Sequence, residues 1–381
     1  MAIKTLKAST LYTPHQVLHD VSVIIRNGVV EEISESNSGF DIDLRGLIVA
    51  PGYVDTHIHG CCGIDITSLT TARELNNLST GLTRFGVTSF VPTLVSSPHA
   101  NIIRILKLLS SARRSIEGAK ALGIGLEGPY INPEKRGAQS INAIRAPSLE
   151  ELDQYMGLLD NPPLIIHLAP EVKGAYELIQ RASLHGAIVS IGHTDADYET
   201  TMRAIALGAT RATHLFNAMR GIHHREPGAA MALMDNANVY LELITDFIHL
   251  RPEIILFVLK YAGWQRVVLV TDAMAAAGLG DGEYILGDLH VIVSNGRASL
   301  PDGTLAGSSL TIDQAVRNMI SLGLSPNVAI SMATDMAARS IGLMRMGCLR
   351  PGCIADVVVL DDKYRVINTI INGTGQGLDA R

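Results

Sequence analysis

The chain is short of cysteine and of charge. Its four cysteines, Cys61, Cys62, Cys348 and Cys353, form no Cys-x-x-Cys pair and no disulfide framework, which argues against a disulfide-stapled secreted scaffold and for a reducing cytoplasm. Charged residues make up only 18%, with 31 Lys and Arg against 37 Asp and Glu and a formal net charge of -6. A nucleic-acid binder would lean on a basic face, so that class is excluded; a phosphorylated small substrate needs only local cations and is not. Long apolar runs are absent too: "IILFVLKYAG" is broken by Lys260, so no membrane span is expected. The N-terminus has no charged-then-apolar layout with a small-residue cleavage site, so no signal peptide is expected. There is no repeat of 20 to 50 residues and no low-complexity tract.

What is present is apolar sequence in short, regularly spaced blocks. Hydrophobic residues reach 47% of 381 positions, enough for a sizeable core and too much for disorder. That length suits a large barrel with a smaller companion. Between Ile48 and Met274 eight strand-like segments alternate with helix-length ones such as "SPHANIIRILKLLSSARRS" and "DADYETTMRAIALGA". Eight such units predict an α/β fold, a (β/α)8 barrel. A β-rich insert, "GEYILGDLHVIVSNGRASL", follows the eighth strand. The two flanks are rich in β-branched residues and each carries an Asn-Gly turn signal, Asn27-Gly28 and Asn372-Gly373. The expected division is a small β-sandwich from residues 1–50 plus 346–381 and a catalytic barrel over 51–345.

Chemistry in such barrels sits at the C-terminal strand ends. Polar residues gather there: His57 and His59 on strand one, Glu127 on strand three, His193 on five, His214 on six and Asp272 on eight. Residues i and i+2 of a strand share a face, so both histidines of "THIH" point into the mouth. Imidazole and carboxylate are ordinary donors for zinc or iron, and six of them suffice for one or two divalent ions. Singly, a histidine at a strand end is more often hydrogen-bonded packing, and Asp272 has a bland alternative as a helix N-cap. The joint pattern carries the weight.

The segments "PGYVDTHIHG", "GLEGPYINPEKRGAQ", "SIGHTDAD", "THLFNAM", "HHREPG", "LVTDAM", "GTLAGSSL" and "GCLRPGCIADVVVLD" together resemble the N-acetylglucosamine-6-phosphate deacetylases of the amidohydrolase superfamily. The likeness runs over nearly the whole chain and includes a barrel flanked by a small β-domain built from both termini. It implies hydrolysis of the acetamide of N-acetylglucosamine 6-phosphate. Glu127, His193 and His214 match the principal metal ligands, His57 and His59 a second metal site, and Asp272 the acid/base carboxylate. Zinc, with iron as the alternative, is the implied metal. Ala138, Gln139, Asn217, Ala218, His249, Leu305, Ala306 and Gly307 match substrate-contacting positions. Arg225 matches an arginine that reaches the phosphate in the neighbouring subunit, so a homodimer is implied. Its guanidinium suits a phosphate because a planar fork gives paired, charge-assisted hydrogen bonds. Cys61 and Cys62, directly after the metal histidines, are expected to be small packing residues under the site, with ligation of a soft metal or a strained vicinal disulfide as the alternatives.

Two positions depart from the pattern. Gln139 stands where many members carry a histidine that polarises the acetyl carbonyl. Phe247 stands where a small glycine is usual, which predicts a narrower pocket or an altered sugar preference. Carbamylated-lysine hydrolases would place a lysine on strand four, and "PLIIHLAPE" has none. The competing activities are deacetylation of N-acetylgalactosamine 6-phosphate and hydrolysis of a cyclic amide. The competing class is a catalytically dead scaffold, disfavoured because all six candidate ligands are in place.

Overall fold

The computed structural model describes residues 3–14, 16–35, 39–159 and 163–375. Residues 1–2 and 376–381, the outer ends of the expected β-sandwich, lie outside the described residues.

Eight parallel strands close a barrel: Tyr53–Ile58, Val87–Leu94, Ile124–Glu127, Leu164–Leu168, Ile188–Ile191, Ala209–Ala212, Tyr240–Leu243 and Val267–Leu269. The circle is completed where Ile58 pairs in parallel with Ala273 and the Asp272 N–H donates to the His57 carbonyl at 3.0 Å. Every residue of strand two, "VTSFVPTL", is buried. Buried parallel strands read as near-continuous apolar runs because side chains on one face fill the barrel and those on the other pack under helices. The helices between them start where the sequence signals it. Asp197 caps Tyr198–Ala206 by accepting from the Thr200 N–H, and Thr71 with Glu74 forms a capping box at Ala72–Thr83.

The flanks meet in one seven-stranded sheet. The strands Ile3–Tyr12, Val17–Arg26, Val29–Ser34 and Ile42–Pro51 come from the N-terminal side, and Val357–Leu360, Val366–Ile371 and Thr374–Gly375 from the other. Strand Val357–Leu360 shows why the two halves belong together. Val357 and Val359 enter the sheet's own core with Leu6, Val23 and Val49, whereas Val358 and Leu360 enter the barrel core. After strand eight comes a three-stranded antiparallel sheet, Gly282–Leu286, Leu289–Ser294 and Arg297–Ser299. Its Leu286, Val291 and Val293 pack with Val95, Ala138, Met274 and Ala306 over the barrel mouth.

The reading of four unpaired cysteines is corrected here. Cys348 and Cys353 form a disulfide with Cα atoms 6.0 Å apart. The four-residue loop between them, "LRPG", contains Gly352 at φ 90°, a left-handed bend that folds the chain back on itself. Among the described residues no helix is long and apolar enough to cross a membrane.

Candidate metal centre and active site

Glu127 is the last residue of strand three, and His193, His214 and Asp272 lie just beyond strands five, six and eight. Three of these four carry left-handed backbone that side chains rarely adopt: His193 at φ 49°, His214 at φ 26° and Asp272 at φ 50°. Ala218 and Phe247 do the same at the same rim, at φ 49° and 65°. Such strain persists only where the surroundings enforce it, and it clusters at sites. No helix begins at Asp272, and the next one starts at Ile312, so the N-cap alternative falls away.

The side chains converge. Glu127 Oε1 lies 2.9 Å from His193 Nε2 and 2.8 Å from His214 Nε2, and the two nitrogens are 3.2 Å apart. The His193 Nδ1–H donates to the Lys135 carbonyl at 2.8 Å, which leaves Nε2 as a bare lone pair facing the carboxylate. Three buried acceptors held this close repel one another unless a cation or protons sit among them. Metal–donor bonds of about 2.0–2.2 Å fit within such a set, so the donors suit a divalent ion. A second set adjoins it: His57, His59, Glu127 and Asp272. His59 Nε2 is 3.1 Å from Glu127 Oε2 and 3.0 Å from Asp272 Oδ1. Its Nδ1–H donates to the Thr93 carbonyl at 3.0 Å. His57 Nε2 and Asp272 Oδ1 are buried without a hydrogen-bond partner, 3.5 Å from each other. Orphaned groups of this kind are what a ligated ion satisfies.

Electrostatics agree. Burial works against charge at Glu127, but His193, His59 and His214 outweigh it and hold the carboxyl well below the usual range. At His59 burial is likewise outweighed, by Glu127 and Asp272, and the imidazole is held well above its ordinary value. Asp272 is held low against its burial by the neighbouring imidazoles of His59 and His57.

Around this centre lies a cavity of about 470 Å³. It is lined by His59, Glu127, His193, His214 and Asp272, and by Ala138, Gln139, Asn217, Ala218, His249, Leu305 and Gly307 of the expected substrate positions. Two of the expected positions do not line this cavity, though Arg225 was expected to serve the neighbouring subunit's. Ala306 is fully buried in the core under the insert, and Arg225 is exposed, with its guanidinium 2.8 Å from His224 Nε2 rather than in the lining. His57 sits one layer beneath, with no exposure. Phe247 is not among the residues lining the cavity; it packs partly buried against the barrel core. Its φ of 65° is the physical reason a glycine would be at home there. Gln139 faces Glu127. Its amide oxygen accepts from the Ser96 N–H at 2.6 Å, so the amide nitrogen must be the atom that donates to Glu127 Oε2, also at 2.6 Å.

Several groups escaped the sequence. Glu242 of strand seven and Arg211 of strand six form an ion pair with no exposure, 2.5 Å between Nη2 and Oε1. Glu242 Oε2 accepts from the His57 Nδ1–H at 3.0 Å and from the His214 backbone N–H at 3.2 Å, so it orients both donor sets. Arg211 also reaches Thr56 and Ser340. The only signal was one acid and one base inside otherwise apolar strands, "YLEL" and "ATRA". Lys135 and Arg136 are basic side chains in the cavity lining, Lys135 with its Nζ 3.1 Å from Asp195 Oδ1. Glu242→Gln should leave Arg211 buried without its counter-charge, at a cost of about 3–5 kcal/mol. A lowered unfolding midpoint together with weaker metal binding at the His57 set would be seen by calorimetry and metal titration; an unchanged titration would remove Glu242 from the metal's support.

The amidohydrolase family profile matches residues 48–375. An N-acetylgalactosamine-6-phosphate deacetylase of Escherichia coli O157:H7 is 37% identical over 374 residues, 97% of this chain and 98% of that one. An N-acetylglucosamine-6-phosphate deacetylase of Vibrio furnissii is 34% identical over 359 residues, 93% and 90%. A mutant N-acetyl-D-glucosamine-6-phosphate deacetylase from Mycobacterium smegmatis, solved in complex with N-acetyl-D-glucosamine-6-phosphate, superposes with a TM-score of 0.92 at 33% identity, covering 98% of this chain and 99% of that one.

Proposed function

Because this chain belongs to the amidohydrolase family, we propose that it is a metal-dependent deacetylase acting on N-acetyl-D-glucosamine 6-phosphate, yielding D-glucosamine 6-phosphate and acetate. The observation that carries the proposal is the convergence of Glu127, His193 and His214 beside an unpartnered Asp272 oxygen in one cavity. The catalytic unit is the barrel of residues 51–345, framed by 1–50 and 346–381.

Glu127, His193 and His214 would hold one divalent ion, zinc by preference for three nitrogen and oxygen donors that leave a position open for water, with iron the alternative. His57, His59 and Asp272 would hold a second. When bound, a divalent ion polarises the acetyl carbonyl and acidifies a water. Asp272, kept ionised by its neighbours, takes the proton of the attacking water and passes it to the departing amine nitrogen. His59 fixes the carboxylate for that transfer from 3.0 Å away. Gln139 and Ser96 hold Glu127 Oε2 in place, so Oε1 is the oxygen turned to the principal donor set. The glutamine thus positions a metal carboxylate instead of meeting the acetyl group.

The phosphate would lie against Asn217, Ala218 and His249, with Arg136 in the same wall and Arg225 supplied by a second subunit. The His249 Nδ1–H donates to Asp246 at 2.7 Å, which orients the ring. Exposed apolar side chains, Ile222 in the Arg225 loop and Ile248, Ile254 and Phe257 elsewhere, support a homodimer that buries some of them. A charged, membrane-impermeant substrate supports a cytoplasmic reaction. Arg225→Ala should raise KM more than tenfold while kcat changes little; an unchanged KM would take Arg225 out of the phosphate site.

The galactosamine epimer has a specific observation in its favour, the 37% identity to the Escherichia coli relative. Acetate release from both 6-phosphorylated N-acetylhexosamines and from their unphosphorylated forms decides. The proposal requires the phosphorylated gluco sugar to be the best of the four. Preference for the galacto sugar would replace the substrate, and no release from any would replace the reaction.

A further inference from the structure

The turn after the metal-facing histidines carries two thiols that the proposed reaction does not use. Gly60–Cys61 and Ile64–Asp65 pair as a two-stranded antiparallel ribbon, and Cys62 lies at its tip with φ 53°. This left-handed residue turns the two side chains toward each other, and the sulfurs lie 3.3 Å apart. Cys61 is buried, with its thiol donating to the Ala277 carbonyl at 3.3 Å, whereas Cys62 is partly exposed. Both are free of disulfide, and neither belongs to the donor sets of the active site.

A separation of 3.3 Å is well beyond the bond of about 2.05 Å in a disulfide, so oxidation would require the turn to rearrange. A bridge through one intervening atom leaves the two sulfurs about this far apart, so what must adjust is the packing around the turn. We propose that Cys61 and Cys62 are a chelating site for a trivalent thiophilic metalloid, the chemical class of arsenite and the organic arsenoxides. The step balances without an electron acceptor. An arsenoxide forms two As–S bonds, its As=O bond breaks, and the oxygen leaves as one water with the two thiol protons.

The turn is tied to the segment that follows Asp272. The His59 and Gly60 N–H groups donate to the Ala273 carbonyl at 2.8 and 2.9 Å, the Cys62 N–H to Ala277 at 2.9 Å, and the Gly63 N–H to Ala275 at 2.8 Å. On its helix side the Cys62 sulfur is packed so closely that a Cβ on Gly81 would meet it at 3.0 Å. The bridging atom must therefore sit outward, and the turn must shift to receive it. That shift reaches Ala273 and, through it, the neighbouring proton carrier Asp272.

The test treats the metal-loaded protein with phenylarsine oxide and records its intact mass under non-reducing conditions, alongside acetate release. The expected mass gain is one phenylarsine oxide less one water. The adduct survives excess monothiol, is removed by a dimercaptopropanol, and is absent in Cys61→Ser and in Cys62→Ser. It persists in the Cys348→Ser/Cys353→Ser double variant. Turnover of the loaded protein falls about tenfold or more, as expected for misplacement of a catalytic group, and returns with the dithiol. Cys62→Ser keeps its turnover with or without the arsenical. No adduct on the unmodified chain, or one that persists in Cys62→Ser, overturns the site; an adduct with unchanged turnover overturns the coupling to Asp272. The mass measurement is independent of the substrate assignment, so failure of either proposal is distinguishable.

Discussion

Asp272→Asn is expected to lower kcat by about three orders of magnitude while substrate and metal still bind, the scale of a lost general acid/base in a site that otherwise keeps its binding groups. The substitution keeps the size and one oxygen of the side chain. It removes the capacity to take up a proton. Asp272 is 7% exposed, its Oδ1 has no hydrogen-bond partner, and His59 and His57 hold the carboxyl in its ionised form. Those are the properties of a base waiting for a proton at neutral pH. Calorimetric titration with the sugar phosphate should give a Kd within a few-fold of the parent chain, with the ion of the Glu127, His193 and His214 set retained. A near-normal kcat would show that another group carries the proton.

Glu127→Ala is expected to abolish turnover by a different route. Glu127 is shared by both donor sets: Oε1 faces His193 and His214, and Oε2 faces His59 and Gln139. Its removal takes a ligand from the principal ion and leaves three buried imidazoles facing one another without the carboxylate between them. Loss of an outer-shell partner alone typically costs 10- to 100-fold in metal affinity, so loss of a shared ligand should exceed about 100-fold. Metal analysis after dialysis should find the variant essentially empty, and added metal should not restore acetate release. Full metal retention with full activity would contradict the assignment of this residue. The two variants separate the roles: one keeps the ion and loses chemistry, the other loses both.

Much of this site was legible because the barrel makes it so. Strand ends in a (β/α)8 barrel are polar only where function requires, and His57, His59, Glu127, His193, His214 and Asp272 each stand out against apolar neighbours. The support beneath them was not legible. Glu242 and Arg211 lie on different strands, 31 positions apart, and their meaning appears only when strands six and seven are adjacent. Gln139 was visible as a departure, but its partner Ser96 sits on another loop, so its task of fixing Glu127 could not be read. Phe247 was expected to bear on the pocket because it stands where a small glycine is usual; on its left-handed backbone the ring packs, partly buried, against the barrel core. The Cys348–Cys353 bond was missed because a lone pair five positions apart matches no spacing motif, and only the turn at "LRPG" joins them.

The central claim is that Glu127, His193 and His214 close on a single ion. Crystals of the metal-loaded protein, measured at the absorption edge of that metal, test it directly. An anomalous peak is expected about 2.0–2.2 Å from Glu127 Oε1, His193 Nε2 and His214 Nε2 together. An active, metal-containing protein whose anomalous peaks all lie away from these three atoms would contradict it.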